Sequence, residues 1–157
     1  MHRVQIEVIL LSISDDAVLR WRAIRADLPS GGRPDARARE LAGLVIDVPT
    51  ETVVHSTSWR PAPSGLILTY AVLPDPAPTA GTVRAVPADA RVVCSGNAAV
   101  PTPAVVTIEH VLAHALRHMS MVARTTPAVA RAVDAHPRLW HAVRAHTPGV
   151  AGQLIGS

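Results

Sequence analysis

Three histidines recur at intervals of four residues in the C-terminal third of the chain: His110, His114 and His118. On a helix, residues four positions apart lie on one flank, so this spacing predicts a line of imidazoles. Because imidazole titrates near neutral pH, His110 and His114 are candidates for acid–base catalysis. Two histidines at this spacing can also bind a transition metal. However, Glu109 precedes His110 instead of following it, unlike the metalloprotease pattern, and no third ligand is evident.

The helix that carries these histidines is predicted over Ala104 to Arg124 by an apolar arc with helical periodicity. The histidine flank lies opposite that arc, which favours solvent-facing or partly covered side chains. The alternative is a flank that lines a ligand cleft or a dimer partner. The residues of the arc are Val105, Ile108, Val111, Leu112, Ala115, Leu116, Met119 and Val122.

A second group of candidate residues follows a glycine-rich turn, Leu28-Pro29-Ser30-Gly31-Gly32. Glycine at such a turn lets the backbone approach a ligand closely. A short helix is predicted over Pro34 to Ala42, because proline suits its first position and Gly43 suits its end. The segments Arg39-Glu40-Leu41 and Gly43-Leu44 complete the group.

Together these residues resemble the signature of the Nudix family, G-x5-E-x7-R-E-U-x-E-E-x-G-U, where U is a bulky aliphatic residue. The signature usually follows a turn similar to L-P-G-G-G. The resemblance covers Val4 to Leu73 and implies a central mixed sheet with a loop–helix–loop beside it. In the family, glutamates of that helix hold Mg²⁺ or Mn²⁺, which supports attack of water on a pyrophosphate bond.

The catalytic middle of the signature is missing from this chain. The spacing between Gly32 and Arg39 is about half of the family's, and only Ala42 separates Leu41 from the closing Gly43. The first glutamate and the glutamate pair have no counterpart, which leaves Asp35 and Glu40 as the carboxylates of the segment. Two carboxylates on one helical turn make a poor Mg²⁺ site. No metal or cofactor is therefore expected, and Mg²⁺ would bind only if the degenerate segment still functioned.

The resemblance places a ligand pocket at Gly31, Gly32, Arg39 and Glu40. Glu40 has a second interpretation, which is pairing with Arg37 or Arg39 within the helix. Arg20 and Arg22, with Arg25 as a further member, lie on one side of a predicted strand and are candidate ligand contacts. Trp59, beside Arg60 in a proline-flanked loop, is suited to stacking on a planar ligand. At least two of Trp21, Trp59 and Trp140 are expected in the core, and Cys94 is interpreted as a small buried hydrophobe.

Composition limits the function classes. The 157 residues predict one domain over 1–147 with a flexible tail over 148–157, and the 48% hydrophobic content predicts a packed core. The basic residues are all arginine, which we attribute to a GC-rich bacterial genome. A net charge of +3 without a large arginine cluster makes a nucleic-acid partner an unfavoured interpretation. The single cysteine, the lack of a signal-peptide pattern and the lack of a membrane-length apolar run predict a cytoplasmic protein without a membrane partner.

The element pattern predicts an α+β, or mixed α/β, fold: a Nudix-like central mixed sheet with a helical C-terminal third. Strands are expected over Arg3 to Ile13, Ala17 to Ala26 and Leu66 to Leu73, with shorter ones over Thr82 to Val86 and Arg91 to Cys94. An extended segment is expected over Leu44 to Ser58, and Pro74 to Gly81 reads as a loop. Pro127 and Pro137 are expected to open two further helices, ending at His136 and His146.

Three functions are compatible with these features. The first is a Nudix-like module that binds a nucleotide or another small molecule without ordinary Mg²⁺-dependent pyrophosphohydrolysis. The second is a divergent enzyme, for instance of secondary metabolism, that reuses the pocket with histidine and arginine chemistry. The third is an interaction protein that forms a homodimer through its long helices. Whether the chain is an enzyme stays open at this point.

Overall fold

The computed structural model describes residues 2–44, 51–87 and 107–148. The predicted strand over Arg91 to Cys94, the interpretation of Cys94 and all of the predicted tail except Pro148 lie outside these ranges. The described strands are β1 (Arg3–Ile13), β2 (Leu19–Asp27), β3 (Val53–Ala62), β4 (Gly65–Leu73) and β5 (Arg84–Ala85). The helices are α1 (Pro34–Leu41), α2 (Ile108–Thr125), α3 (Ala130–Ala135), which a 3₁₀ turn (Pro127–Val129) precedes, and α4 (Pro137–Arg144).

The five strands form one mixed sheet in the order β3-β4-β1-β2-β5. β1 is antiparallel to β2 and parallel to β4, and β3 and β4 form an antiparallel pair. The predicted α+β fold with a central mixed sheet and a helical C-terminal third is therefore confirmed. Among the described residues, no helix is long and apolar enough to cross a membrane.

The sheet is covered on both faces because β1 is apolar in both of its alternating sets of side chains. Ile6, Val8 and Leu10 pack with Ala38 of α1, and we call this side the α1 face. Ile9 and Leu11 pack on the opposite side with residues of α2 and α4, which we call the helical face. The predicted apolar arc of α2 supplies this second core, with the following side chains buried: Val111, Leu112, Ala115, Leu116, Met119 and Val122.

Two of the three tryptophans lie in the core, as the sequence predicts: Trp21 is 2% exposed and Trp140 is fully buried. Both belong to the core of the helical face. Arg84 stacks on Trp21 with its guanidinium carbon 4.4 Å from the ring centroid. A cation over an indole face is a favourable contact that also shields the ring.

Two sequence interpretations were wrong in this part of the fold. Trp59 does not lie in a loop, because β3 continues through Pro61 to Ala62 and turns directly into β4. A proline is tolerated there because β3 is an edge strand of the described sheet. Arg25 does not share a side with Arg20 and Arg22, since the register pairs it with Glu7 on the helical face.

Candidate functional site

The glycine-rich turn and α1 border a groove of about 400 Å³. Residues of the turn form one wall, and residues of α1 and its end form the other. The lining residues are Leu28, Pro29, Gly32, Arg33, Ala36, Arg37, Arg39, Glu40 and Leu44. The volume lies within the usual range for small-molecule pockets, which is roughly 300–1,000 Å³. The groove contains three of the residues predicted for the ligand pocket: Gly32, Arg39 and Glu40.

Glycine is required in the turn for two different reasons. Gly31 has a φ of +75°, in the left-handed region that disfavours other residues. At Gly32 a β-carbon would lie 2.9 Å from the carbonyl oxygen of Pro29. The amide of Gly32 donates to this same oxygen at 2.8 Å, so the turn is tight as well as open to the groove.

Gly43 ends α1 as the sequence predicts. Its φ is +80°, its amide donates to the carbonyl of Glu40, and the amide of Leu44 donates to the carbonyl of Arg39. These two bonds form a Schellman motif, which needs a left-handed residue at the position of Gly43. The motif folds Leu44 back onto the core of the α1 face, where it also lines the groove.

The charges around the groove are paired but not balanced. Asp35 lies 3.3 Å from Arg33 and 3.5 Å from Arg39, and Glu40 lies 2.7 Å from Arg37. Three guanidinium groups thus face two carboxylates, which leaves one positive charge in excess. The pairing of Glu40 with Arg37 agrees with the interpretation of Glu40 as a partner within the helix. Arg37 also donates to the carbonyl of Asp27 at 3.1 Å, which ties α1 to the end of β2.

Both carboxylates of α1 are thus paired with arginine side chains in the structure. Among residues 2–44, 51–87 and 107–148, no group of three or more His, Cys, Asp or Glu side chains could hold a metal ion. The charged side chains that line the groove are those of Arg33, Arg37, Arg39 and Glu40.

Arg20 and Arg22, the other predicted contacts, lie away from this groove. Arg22 forms a buried, bidentate ion pair with Asp75, with contacts of 2.6 and 2.8 Å. The Asp75 carboxylate raises the pKa of the guanidinium above its ordinary value. Asp75 also accepts from the amide of Ala77 at 2.8 Å, so this pair fastens the loop after β4 to β2. Contact of Arg22 with a ligand stays a prediction, and the structure assigns its guanidinium to this ion pair.

Trp59 is 64% exposed, the highest value among the large apolar side chains that the structure describes. The register pairs it with Leu68, which lies two residues before Tyr70 on β4, so both aromatic rings belong to the α1 face. Burial and the nearby Asp35 raise the pKa of Tyr70, while Arg39 opposes the effect. The charges of Asp35 and Arg39 on α1 therefore act on Tyr70, which shares its face of the sheet with Trp59. Neither aromatic residue lines the groove.

The predicted histidine flank is not solvent-facing as a whole. His110 takes part in the cap of α2, where Nδ1 accepts from the amide of Thr107 at 3.3 Å. His114 is half-buried, and His118 lies against His55 of β3, with ring centroids 5.1 Å apart. Burial, and then the proximity of His55, lowers the pKa of His118. The structure does not bring His110 and His114 to the groove, which lies on the other face of the sheet.

A buried charge network on the helical face was missed by sequence reasoning. Glu7 of β1 is 2% exposed and receives a bidentate contact from Arg60, at 2.8 and 3.0 Å. Thr69 donates to it at 3.1 Å, and Arg25 lies 3.8 Å away. One signal was available, since an acidic residue in the middle of an apolar strand must find a partner. Its partners could not be read, because they come from other strands.

Comparison with models of known families, with characterised proteins and with solved structures gave no match. The Nudix relationship therefore stays a prediction from the residues of the turn and of α1.

Proposed function

We propose that this chain is a binding module for an anionic small molecule, nucleotide-like in its phosphate chemistry, held in the groove beside α1. The observation that carries the proposal is the excess of arginine in a groove of ligand size, with Arg33, Arg37 and Arg39 among its lining residues. Guanidinium groups match phosphate and carboxylate oxygens in geometry and in charge.

The backbone at the N-terminus of α1 and at the glycine-rich turn supports the same ligand class. Arg33 is the N-cap of α1 and Pro34 has no N–H, so the first amides of the helix are those of Asp35 and Ala36. Helix N-termini attract anions through these amides and through the helix dipole. The tight turn at Gly32 lets the backbone approach a ligand without a side chain in between.

The proposal is for binding without ordinary Mg²⁺-dependent pyrophosphohydrolysis. Its support is the pairing of Asp35 and Glu40 with arginine and the shortened helix, which has no further carboxylate on its surface. The other two functions receive less support. The groove lining contains neither histidine nor tryptophan, and the apolar arc of α2 is buried against the sheet of the same chain.

The test is calorimetric titration of the protein with ADP, AMP and adenosine, each with and without Mg²⁺. We expect ADP to bind more tightly than adenosine, because its phosphates meet the arginines. Reversing the charge in Arg33→Glu or Arg39→Glu should weaken ADP binding about tenfold, which corresponds to one charge-assisted contact. Arg131→Glu is the matched control, since Arg131 is an exposed arginine on α3, on the other face of the sheet.

Two outcomes would overturn the proposal. One is equal weakening by Arg131→Glu and Arg39→Glu, which would indicate a general effect of charge and not a site. The other is Mg²⁺-dependent release of phosphate or of a nucleoside monophosphate from nucleoside diphosphate derivatives, which would restore the ordinary hydrolase function.

A further inference from the structure

His55 and His118 meet where β3 passes under α2, on the face opposite the proposed ligand groove. The two rings have centroids 5.1 Å apart and are tilted by 50°. This contact joins residues far apart in sequence, and both residues lie on secondary-structure elements. β3 pairs with β4, with a register shift between Ser56 and Ser58 next to His55, and α2 is an 18-residue helix with eight buried residues.

His118 is incompletely satisfied in this position. Both of its ring nitrogens are buried and have no hydrogen-bond partner among the residues that the structure describes. A buried polar atom without a partner destabilises the folded state, so such atoms call for an explanation. Binding of an ion is one recognised explanation.

The Nε2 atom of His55 is available as a metal ligand because the other ring nitrogen, Nδ1, is hydrogen-bonded to the backbone. Its Nδ1 lies 2.8 Å from the carbonyl oxygen of Ser56, so Nδ1 carries the proton and donates it to that carbonyl. The lone pair is then on Nε2. Metal-binding histidines commonly fix their tautomer by a bond of this kind to a backbone carbonyl.

From these two side chains we infer that the β3–α2 junction is a two-histidine binding site for a borderline transition-metal ion such as Zn²⁺, Co²⁺ or Ni²⁺. Imidazole nitrogen suits these ions, whereas Mg²⁺ and Ca²⁺ prefer oxygen. Within the described ranges no third His, Cys, Asp or Glu completes a cluster with them. The pair thus supplies two ligands and leaves the other coordination positions to water. This inference does not depend on the proposed ligand groove.

The test is titration of the untagged, metal-free protein with Zn²⁺ at pH 7.5 by calorimetry. We expect one Zn²⁺ ion to bind per chain in the high-affinity phase of the titration. His55→Gln and His118→Gln should each weaken the affinity about tenfold or more, since even the loss of a second-shell partner costs that much. His141→Gln is the matched control, because His141 is an exposed histidine on α4. Circular dichroism checks that each variant is folded.

A second readout uses paramagnetic Co²⁺ and the imidazole signals of the eight histidines in NMR spectra. The signals of His55 and His118 should broaden first, at the lowest Co²⁺ concentration. The inference is overturned if the Zn²⁺ affinity of both variants equals that of the parent protein, or if His141→Gln weakens it equally. Broadening that begins at other histidines would overturn it as well.

Discussion

At the scale of the residue, Glu7 shows what a single carboxylate requires when it lies inside an apolar strand. Its two oxygens are matched by the guanidinium fork of Arg60, and Thr69 completes the shell. A buried ion pair of this kind adds little net stability compared with apolar residues of the same size, but loss of one partner is expensive. The network therefore fixes which side chains of β1, β3 and β4 face each other.

Glu7→Gln should destabilise the protein by about 3 kcal/mol, because it leaves the Arg60 guanidinium, which is 14% exposed, without its counter-charge. Urea unfolding followed by circular dichroism measures the loss. Asp27→Asn is the comparison, since it breaks the exposed pair with Arg3 and should cost much less. Equal losses in the two variants would contradict the assigned role of burial.

At the scale of the element, α1 has its bounds set by local chemistry at both ends. Pro34 occupies the first position, and Gly43 takes the left-handed conformation that closes the Schellman motif. Eight residues are too few for a stable isolated helix, so packing of Ala38 and Ala42 on the α1 face must hold it in place. The groove beside α1 therefore depends on both the motif and the packing.

Gly43→Ala should cost about 1 kcal/mol, because alanine resists a φ of +80°. A β-carbon there would meet nothing within 4 Å, so the cost is conformational and not steric. Gly43→Asn should cost less, since asparagine tolerates the left-handed region. Thermal unfolding of the three proteins gives the order, and a more stable alanine variant would contradict the argument.

At the scale of the whole molecule, α2 and α4 are held together by hydrogen bonds as well as by core packing. Side chains of α2 donate to backbone carbonyl groups at the end of α4. Ser120 donates to the carbonyl of His146 at 2.8 Å, and Arg117 donates to that of Thr147 at 3.2 Å. Arg124 donates to the carbonyl of Arg144 at 2.9 Å. These bonds hold the end of α4 against α2 and place the His146 side chain in a half-buried position.

Stability should fall as the pH drops below about 6.5, the ordinary pKa of histidine. Burial lowers the pKa of His146, so the unfolded chain takes up the proton first. The folded state is then favoured fully above that pH and progressively less below it. Melting temperatures at pH 7.5, 6.5 and 5.5 test this, and His146→Gln should reduce the decrease. An identical decrease in parent and variant would assign it to other groups.

Most of the strands and helices followed from local patterns in the sequence, whereas the second half of β3, through Trp59 to Ala62, did not. β1, the bounds of α1 and the apolar arc of α2 are properties of neighbouring residues: apolar runs, a proline at the start, a glycine at the end and a helical period. Local patterns also predicted the turn at Gly31 and Gly32 and three residues of the groove. They did not indicate that Arg33 and Arg37 also line the groove.

Only the tertiary structure decided which side chains meet. Arg60 reaches Glu7 across 53 positions of sequence, and Thr69 reaches it across 62. Strand order and register bring these residues together, and neither can be read from a local pattern. Strand order and register also place Arg22 beside Asp75 and not in the groove, and they bring His55 under His118. The sequence thus determined most of the elements and the position of the turn, whereas strand pairing determined which charged side chains pair with one another across the sheet.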